Sequence, residues 1–267
     1  MQAGRLPGAG GVEIAWQVDG PEGEPWLILS NSLGTDRRMW TPQLAALTAA
    51  RRVLRYDTRG HGQSDAGTPP YDFGQVTGDV LALCKALDIR RADFMGISLG
   101  GMTGLALAQR APDLIGRLVC ADARADAPPP YKAIWDANIG RLHANGLDAL
   151  VEPTLERWFT PGFLADAANA ATLDLVRDMI GATAPAGYEG AARLLQSLDL
   201  LGGLGGLHCD TLYVTGAADM AAPVAVMQDM ADRTPGAALT VLPDAAHLSN
   251  LEQPAAFLDA VRGHLAL

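Results

Sequence analysis

Residues 94–101 read Phe94-Met95-Gly96-Ile97-Ser98-Leu99-Gly100-Gly101, and this stretch decides the fold. A short apolar run, Phe94–Ile97, enters it, and a small-residue helical pattern beginning at Leu99 leaves it. A serine in a G-x-S-x-G setting between strand and helix sits on a sharp turn that exposes its hydroxyl. The turn strains the serine backbone, and a glycine two residues to either side removes Cβ atoms that would strike the neighbouring strand and helix. The helix starting beneath Ser98 offers free N–H groups and its positive dipole end to an oxyanion forming there.

The same alternation of strand and helix extends outward in both directions. Short apolar runs occur at Trp26–Leu29, Val53–Tyr56, Leu118–Ala121, Leu212–Val214 and Leu239–Leu242. Runs of this kind suit strands buried on both faces. Helical patterns fall between them at Gln75–Leu87, Leu99–Ala111, Val224–Arg233 and Ala255–Leu265. Val12, Ile14, Trp16 and Val18 alternate with polar or small residues, which predicts a half-exposed strand at a sheet edge. This order implies an α/β protein with a mostly parallel, doubly wound sheet. One block, residues 126–206, carries no strand pattern and reads as helices at Ile134–Leu142, Gly146–Trp158 and Leu173–Ile180. Pro128-Pro129-Pro130 and Gly202-Gly203-Leu204-Gly205-Gly206 bracket it, as ordinary turns or as the borders of a helical cap over the edge where open α/β sheets bind ligands. The division expected is a core of 1–125 and 207–267 with a cap of 126–206.

Composition narrows the function. The 267 residues include 20 Lys+Arg against 30 Asp+Glu, a formal net charge of -10 with no basic cluster, which argues against a nucleic-acid partner. Cys84, Cys120 and Cys209 are odd in number, far apart and set among apolar residues, as buried thiols in a reducing compartment would be. No signal-like apolar segment follows the amino terminus and no apolar run is long enough to span a bilayer, so a soluble cytoplasmic protein is expected. Metal-ligand spacings and phosphate-binding glycine loops are missing, so no metal or cofactor is expected. Whether the chain forms a homo-oligomer is left open.

A serine hydroxyl needs a positioned base. Of the five histidines, His247 follows the strand Leu239–Leu242 through Pro243-Asp244-Ala245-Ala246, which places it at the carboxyl edge of the sheet with Ser98. His61 lies in a tight turn, His143 and His264 in helical stretches, and His208 precedes a strand and so belongs to the opposite edge. The imidazole needs an acid to fix its tautomer. Asp219, after Leu212–Val214, is favoured, and Asp122, after Leu118–Ala121, is its rival. The amides of Leu99 and of Leu33, in the loop Ser30-Asn31-Ser32-Leu33-Gly34-Thr35, are the expected oxyanion donors.

Several longer strings carry a resemblance. These are Asn31-Ser32-Leu33-Gly34-Thr35-Asp36, Asp57-Thr58-Arg59-Gly60-His61-Gly62, Gly96-Ile97-Ser98-Leu99-Gly100-Gly101, Arg157-Trp158-Phe159-Thr160 and Ala246-His247-Leu248-Ser249-Asn250. Together they resemble the α/β-hydrolases, with the chain order serine, acid, histidine. Within that superfamily they resemble the 3-oxoadipate enol-lactonases of aromatic-compound breakdown. The resemblance implies a cofactor-free hydrolase that opens a small enol-lactone bearing a carboxylate arm. The stretch Asp122-Ala123-Arg124-Ala125-Asp126 departs from the small, Thr/Ala-rich segment usual there. An anionic substrate calls for a cation, and Arg124, Arg141 and Arg157 are the candidates, Arg124 foremost; Trp135 and Trp158 are candidate pocket walls. Arg59 is expected to pair with Asp57 or with backbone carbonyls in its own turn. A general carboxylesterase or perhydrolase, a carbon–carbon bond hydrolase and a non-catalytic binding module of the same fold stand as alternatives.

Overall fold

A computed structural model describes residues 1–267. Its centre is one eight-stranded sheet: β1 (Gln2–Pro7), β2 (Glu13–Asp19), β3 (Trp26–Ser30), β4 (Arg52–Tyr56), β5 (Ala92–Ile97), β6 (Ile115–Ala121), β7 (Asp210–Gly216) and β8 (Ala238–Leu242). The spatial order is β1-β2-β4-β3-β5-β6-β7-β8, with β2 antiparallel to both neighbours and every pair from β4 to β8 parallel. The strand predicted over Val12–Val18 is therefore internal, not an edge. The edge on that side is β1, Gln-Ala-Gly-Arg-Leu-Pro, whose exposed residues carry no apolar alternation by which to find it, and the other edge is β8, which is half-exposed instead of buried on both faces.

Eleven α-helices complete the fold: α1 (Thr41–Thr48), α2 (Phe73–Ala86), α3 (Leu99–Arg110), α4 (Pro129–Asn145), α5 (Asp148–Trp158), α6 (Pro161–Ala165), α7 (Ala170–Gly181), α8 (Pro185–Gln196), α9 (Val224–Arg233), α10 (Ser249–Glu252) and α11 (Pro254–Leu265). Successive residues of a strand point to opposite faces, so the inner strands are apolar throughout. Ile28, Phe94 and Leu118 join the core layer shared with α2 and α3. Their neighbours Leu27, Met95 and Val119 join the opposite layer, with Phe257, Val261 and Leu265 of α11. No helix is long and apolar enough to cross a membrane. All three cysteines are buried and free.

Helices α4–α8 lie in the block between β6 and β7. Its two ends are tied together by a bridge between Asp126 and Asp199 and by the Leu200 N–H donating to the Ala125 carbonyl at 2.8 Å. The triple proline starts α4, with Pro129 and Pro130 in its first turn, where a missing N–H costs nothing. The glycine-rich stretch is a 3-10 turn. At the far side, α8 meets the tight turn after β4 backbone to backbone. The Ala184 N–H donates to the Gly60 carbonyl at 2.9 Å, and a Cβ on Gly187 would lie 2.4 Å from the Gly60 Cα. Only glycine fits at that crossing.

The turn itself rests on a buried ion pair. Arg59 donates to Asp79 on α2 at 2.7 and 2.8 Å and to the Ala9 carbonyl at 3.1 Å, with both side chains 2% exposed. The expected partner, Asp57, is instead taken by Arg37 and by the amide of Gln63. The long Arg59 side chain passes its own turn to reach α2. Burial raises the Asp79 carboxyl above its usual range even against the pull of Arg59. Removing Asp79 would strand a guanidinium in the interior. Asp79→Ala is expected to cost about 3–5 kcal/mol of stability, read from the urea midpoint; a loss below about 1 kcal/mol would contradict this role.

Candidate active site

Five loops leave the carboxyl ends of parallel strands β3, β5, β6, β7 and β8, and they meet under α4, α5 and α8. Ser98 follows β5 directly. Its backbone stands at φ 55°, ψ -117°, in the left-handed half of the map, which disfavours a side chain. Neighbouring bonds hold it there: the Ser98 N–H donates to the Ala121 carbonyl at 2.8 Å, and the Met102 N–H to the Ser98 carbonyl at 2.9 Å. The flanking glycines are obligatory. A Cβ on Gly96 would sit 2.2 Å from the Gly100 carbonyl carbon, and one on Gly100 would sit 2.1 Å from the Ser30 carbonyl oxygen.

The Ser98 hydroxyl lies 3.0 Å from His247 Nε2, and His247 Nδ1 lies 2.9 Å from Asp219 Oδ2. With the imidazole proton on Nδ1, the ring donates to Asp219 and accepts from Ser98. The other Asp219 oxygen accepts from the amides of Ala221 at 2.7 Å and Ala222 at 3.0 Å. Burial alone would raise the Asp219 carboxyl; His247 and the two amides outweigh it and hold the carboxyl below its usual range. Asp122, the rival acid, does not touch the imidazole. Its Oδ1 accepts from the Gly216 amide at 3.0 Å, and its Oδ2 accepts from the Ser249 hydroxyl at 2.5 Å and the Ser249 amide at 3.3 Å. Burial, and then the charge of Asp219, push the Asp122 carboxyl well above the usual range.

The other histidines lie elsewhere. His143 pairs with Glu189 on the surface, His264 lies 3.8 Å from Asp210, and His61 is buried in its turn with Nδ1 3.0 Å from the Arg59 carbonyl. The loop holding His247 is clamped to α5. The His247 amide donates to the Trp158 carbonyl at 3.0 Å, and Glu252 accepts from the Thr160 amide and hydroxyl with one oxygen and from the Ala246 amide with the other. The strings Arg157-Trp158-Phe159-Thr160 and Ala246–Glu252 thus meet in space. Leu33 lines the cavity beside Ser98. Neither its N–H nor that of Leu99 donates to a protein acceptor. Two free donors flanking a hydroxyl on an imidazole are equipped to stabilise a tetrahedral oxyanion.

The cavity above Ser98 is walled by Tyr131, Trp135 and Asn138 of α4, Arg157 and Trp158 of α5, and Tyr188 of α8. Both tryptophans expected there are present. Arg124 is not. Its Nε donates to the Asp126 carbonyl at 2.7 Å, its Nη2 to the Asp126 carboxylate at 2.9 Å, and its guanidinium lies 4.4 Å from the centre of the Tyr131 ring. The acid two residues along captures it and turns it to the back of Tyr131. Arg141 is exposed and also outside the cavity, whereas half-buried Arg157 faces it and forms no ion pair. The sequence offered Tyr131, Asn138 and Tyr188 no signal, because each lies on a helix with no motif around it. Burial pushes the Tyr131 and Tyr188 phenols up to about 12, so both carry their protons at neutral pH. Trp135 Nε1 is buried without an acceptor. The indole N–H of Trp135, the guanidinium of Arg157 and the NH2 of Asn138 make this wall rich in donors, with the Asn138 amide oxygen as an acceptor among them.

Comparison with known proteins identifies the family. The model of the alpha/beta hydrolase family matches residues 27–260. The 3-oxoadipate enol-lactonase 1 of Acinetobacter baylyi is 36% identical over 255 residues, 95% of this chain and 93% of that one. A putative carbamate hydrolase, RutD, of Caulobacter is 31% identical over 90% of each chain. Among solved structures, the enol-lactonase from Burkholderia xenovorans LB400 superposes with a TM-score of 0.94 at 38% identity, covering 99% of this chain and 100% of that one. The chain is a hydrolase and belongs to the alpha/beta hydrolase family.

Proposed function

We propose that the protein is a 3-oxoadipate enol-lactonase working through a serine acyl-enzyme, with residues 126–206 as the cap that shapes its substrate site. The observation that carries this reading is the donor-rich wall facing Ser98, above all Arg157, whose positive charge has no carboxylate partner in a protein of net charge -10. A lactone with a carboxylate arm supplies that partner, and the relatives named as enol-lactonases support the assignment.

His247 takes the Ser98 proton on Nε2 as Oγ bonds to the ring carbonyl carbon, and Asp219 stabilises the imidazolium. The Leu33 and Leu99 amides hold the oxyanion, each worth roughly 3–4 kcal/mol to the transition state. The carbon–ring-oxygen bond then breaks, and the imidazolium proton goes to the departing enolate oxygen. The resulting enol becomes the ketone of the product arm, which stays tethered as the acyl group. Water, its proton taken by His247, attacks the acyl carbon; Ser98 Oγ leaves and recovers the proton, releasing 3-oxoadipate. The arm carboxylate lies against Arg157, with the Trp135 N–H and the Asn138 amide as further donors. The indole of Trp158, 6.1 Å from the His247 ring, shields the imidazole from water.

Loss of the enol-lactone ultraviolet absorbance measures the reaction directly. The parent protein is expected to reach kcat/KM near ~10⁴ M⁻¹s⁻¹ or above, and Ser98→Ala to lose roughly 10³-fold or more in kcat. A parent that turns over p-nitrophenyl esters faster than the lactone would make it a general esterase instead. Arg157→Ala is expected to raise KM for the anionic lactone roughly 10-fold or more, the worth of one hydrogen bond to a charged group. KM for a neutral ester should stay near the parental value; equal effects on both substrates would remove Arg157 from carboxylate recognition.

A further inference from the structure

Asp122 is buried, lines the cavity, and bonds to none of Ser98, His247 and Asp219. What it does bond to is informative. Its Oδ1 accepts from the amide of Gly216, the last residue of β7 and three residues before Asp219. Its Oδ2 accepts from the amide and hydroxyl of Ser249, the first residue of α10 and two residues after His247. One carboxylate therefore bonds to the segment that delivers the acid and to the segment that delivers the base. Its own backbone is fixed by the Asp122 N–H donating to the Val214 carbonyl at 2.8 Å. To aim the side chain this way the residue adopts φ 47°, a left-handed conformation that a side chain disfavours. Strain of this kind persists only where the surroundings impose it.

We infer that Asp122 is a positioning residue that sets the spacing between Asp219 and His247, and through it the aim of the imidazole at Ser98. The inference rests on the reading of Ser98, His247 and Asp219 as the reacting group; it does not depend on which ester is the substrate. The Ala217 N–H donating to the Leu242 carbonyl and the Ala218 N–H donating to the Ala245 carbonyl, both at 2.9 Å, also join the two segments, but they stop short of His247, and Asp122 holds the residues beyond it. Without the carboxylate, the Gly216 amide and the Ser249 amide and hydroxyl lose their shared acceptor, and the stretch that follows His247 loses its tie to the end of β7. A displacement of about 1 Å at a reacting group is enough to cost roughly 100-fold in rate. Substrate contacts on α4 and α5 are untouched, so binding should change little.

The test is the rate at which a fluorophosphonate labels Ser98. The hydroxyl oxygen bonds to phosphorus, fluoride leaves, and the proton passes to His247, so the readout follows serine activation alone. Asp122→Ala is expected to be labelled roughly 10- to 100-fold more slowly than the parent. The same loss should appear in kcat toward a p-nitrophenyl ester, with KM within about twofold. Asp122→Asn, which keeps the shape and one acceptor oxygen, should fall between alanine and parent. Ser249→Ala, which removes one arm of the clamp, should lose part of the rate. Circular dichroism and the urea midpoint show that each variant is folded; should the alanine variant fail to fold, the asparagine and Ser249→Ala rates carry the test. Folded variants all labelled at the parental rate, or an asparagine variant no faster than alanine, would overturn the inference. A parent protein that takes no label overturns the reading of the reacting group and this inference with it. A labelled parent beside an equally fast Asp122→Ala overturns this inference alone.

Discussion

The sharp bend at Ser98 is the constraint on which the rest of the site depends. A non-glycine residue at positive φ is unfavourable by about 1–3 kcal/mol. The surrounding structure holds it there: Gly96 and Gly100 leave no side-chain atom in the way, and β6 and α3 supply hydrogen bonds on both sides of the serine. Because the bend lies in the middle of the parallel strands, it lifts the hydroxyl to the edge where the other strand ends deliver their loops. The amide of Leu99 and the first turn of α3 lie beneath it for the same reason. Every other functional residue needs only to reach that one point.

Reaching it is a matter of strand order. β3 gives Leu33, β6 gives Asp122, β7 gives Asp219 and β8 gives His247, and β3 and β6 flank β5 in the sheet. Asp219 and His247 come from strands farther from β5, and their loops carry fastenings of their own. Glu252 fastens the His247 loop to the end of α5, and Asp122 bonds to both loops at once. The helices between β6 and β7 bring Arg157 and the aromatic walls of the cavity, whereas Ser98, Asp219 and His247 come from loops at the strand ends.

Much of this was legible in the sequence because local signals coincide with global ones. The apolar runs of β3 to β7 are largely buried on both faces and stand out against the helices; β8 is as apolar in sequence although it is a half-exposed edge strand, and Ser98 and His247 follow β5 and β8. The sequence favours Asp219 over Asp122 but leaves Asp122 as a rival, since both leave a strand at the same edge. The choice is decided by Ser249 and the Gly216 amide, which occupy Asp122 from distant parts of the chain. Arg124 misled for a related reason. Its place after β6 suggested the cavity mouth, but Asp126 and Tyr131 turn it away, and such capture depends on tertiary packing. β1 escaped notice because an exposed edge strand needs no apolar period, and Arg59 reaches Asp79 across a fold that its own turn does not announce.

Crystallography of the phosphonate-labelled enzyme tests the central claim most directly. The account predicts a phosphorus–oxygen bond to Ser98 Oγ, with the phosphoryl oxygen within hydrogen-bond distance, about 2.7–3.1 Å, of both the Leu33 and the Leu99 amide nitrogens. His247 should keep its contact with Asp219 beside the adduct. An adduct on another residue, or a phosphoryl oxygen turned away from both amides, would contradict it.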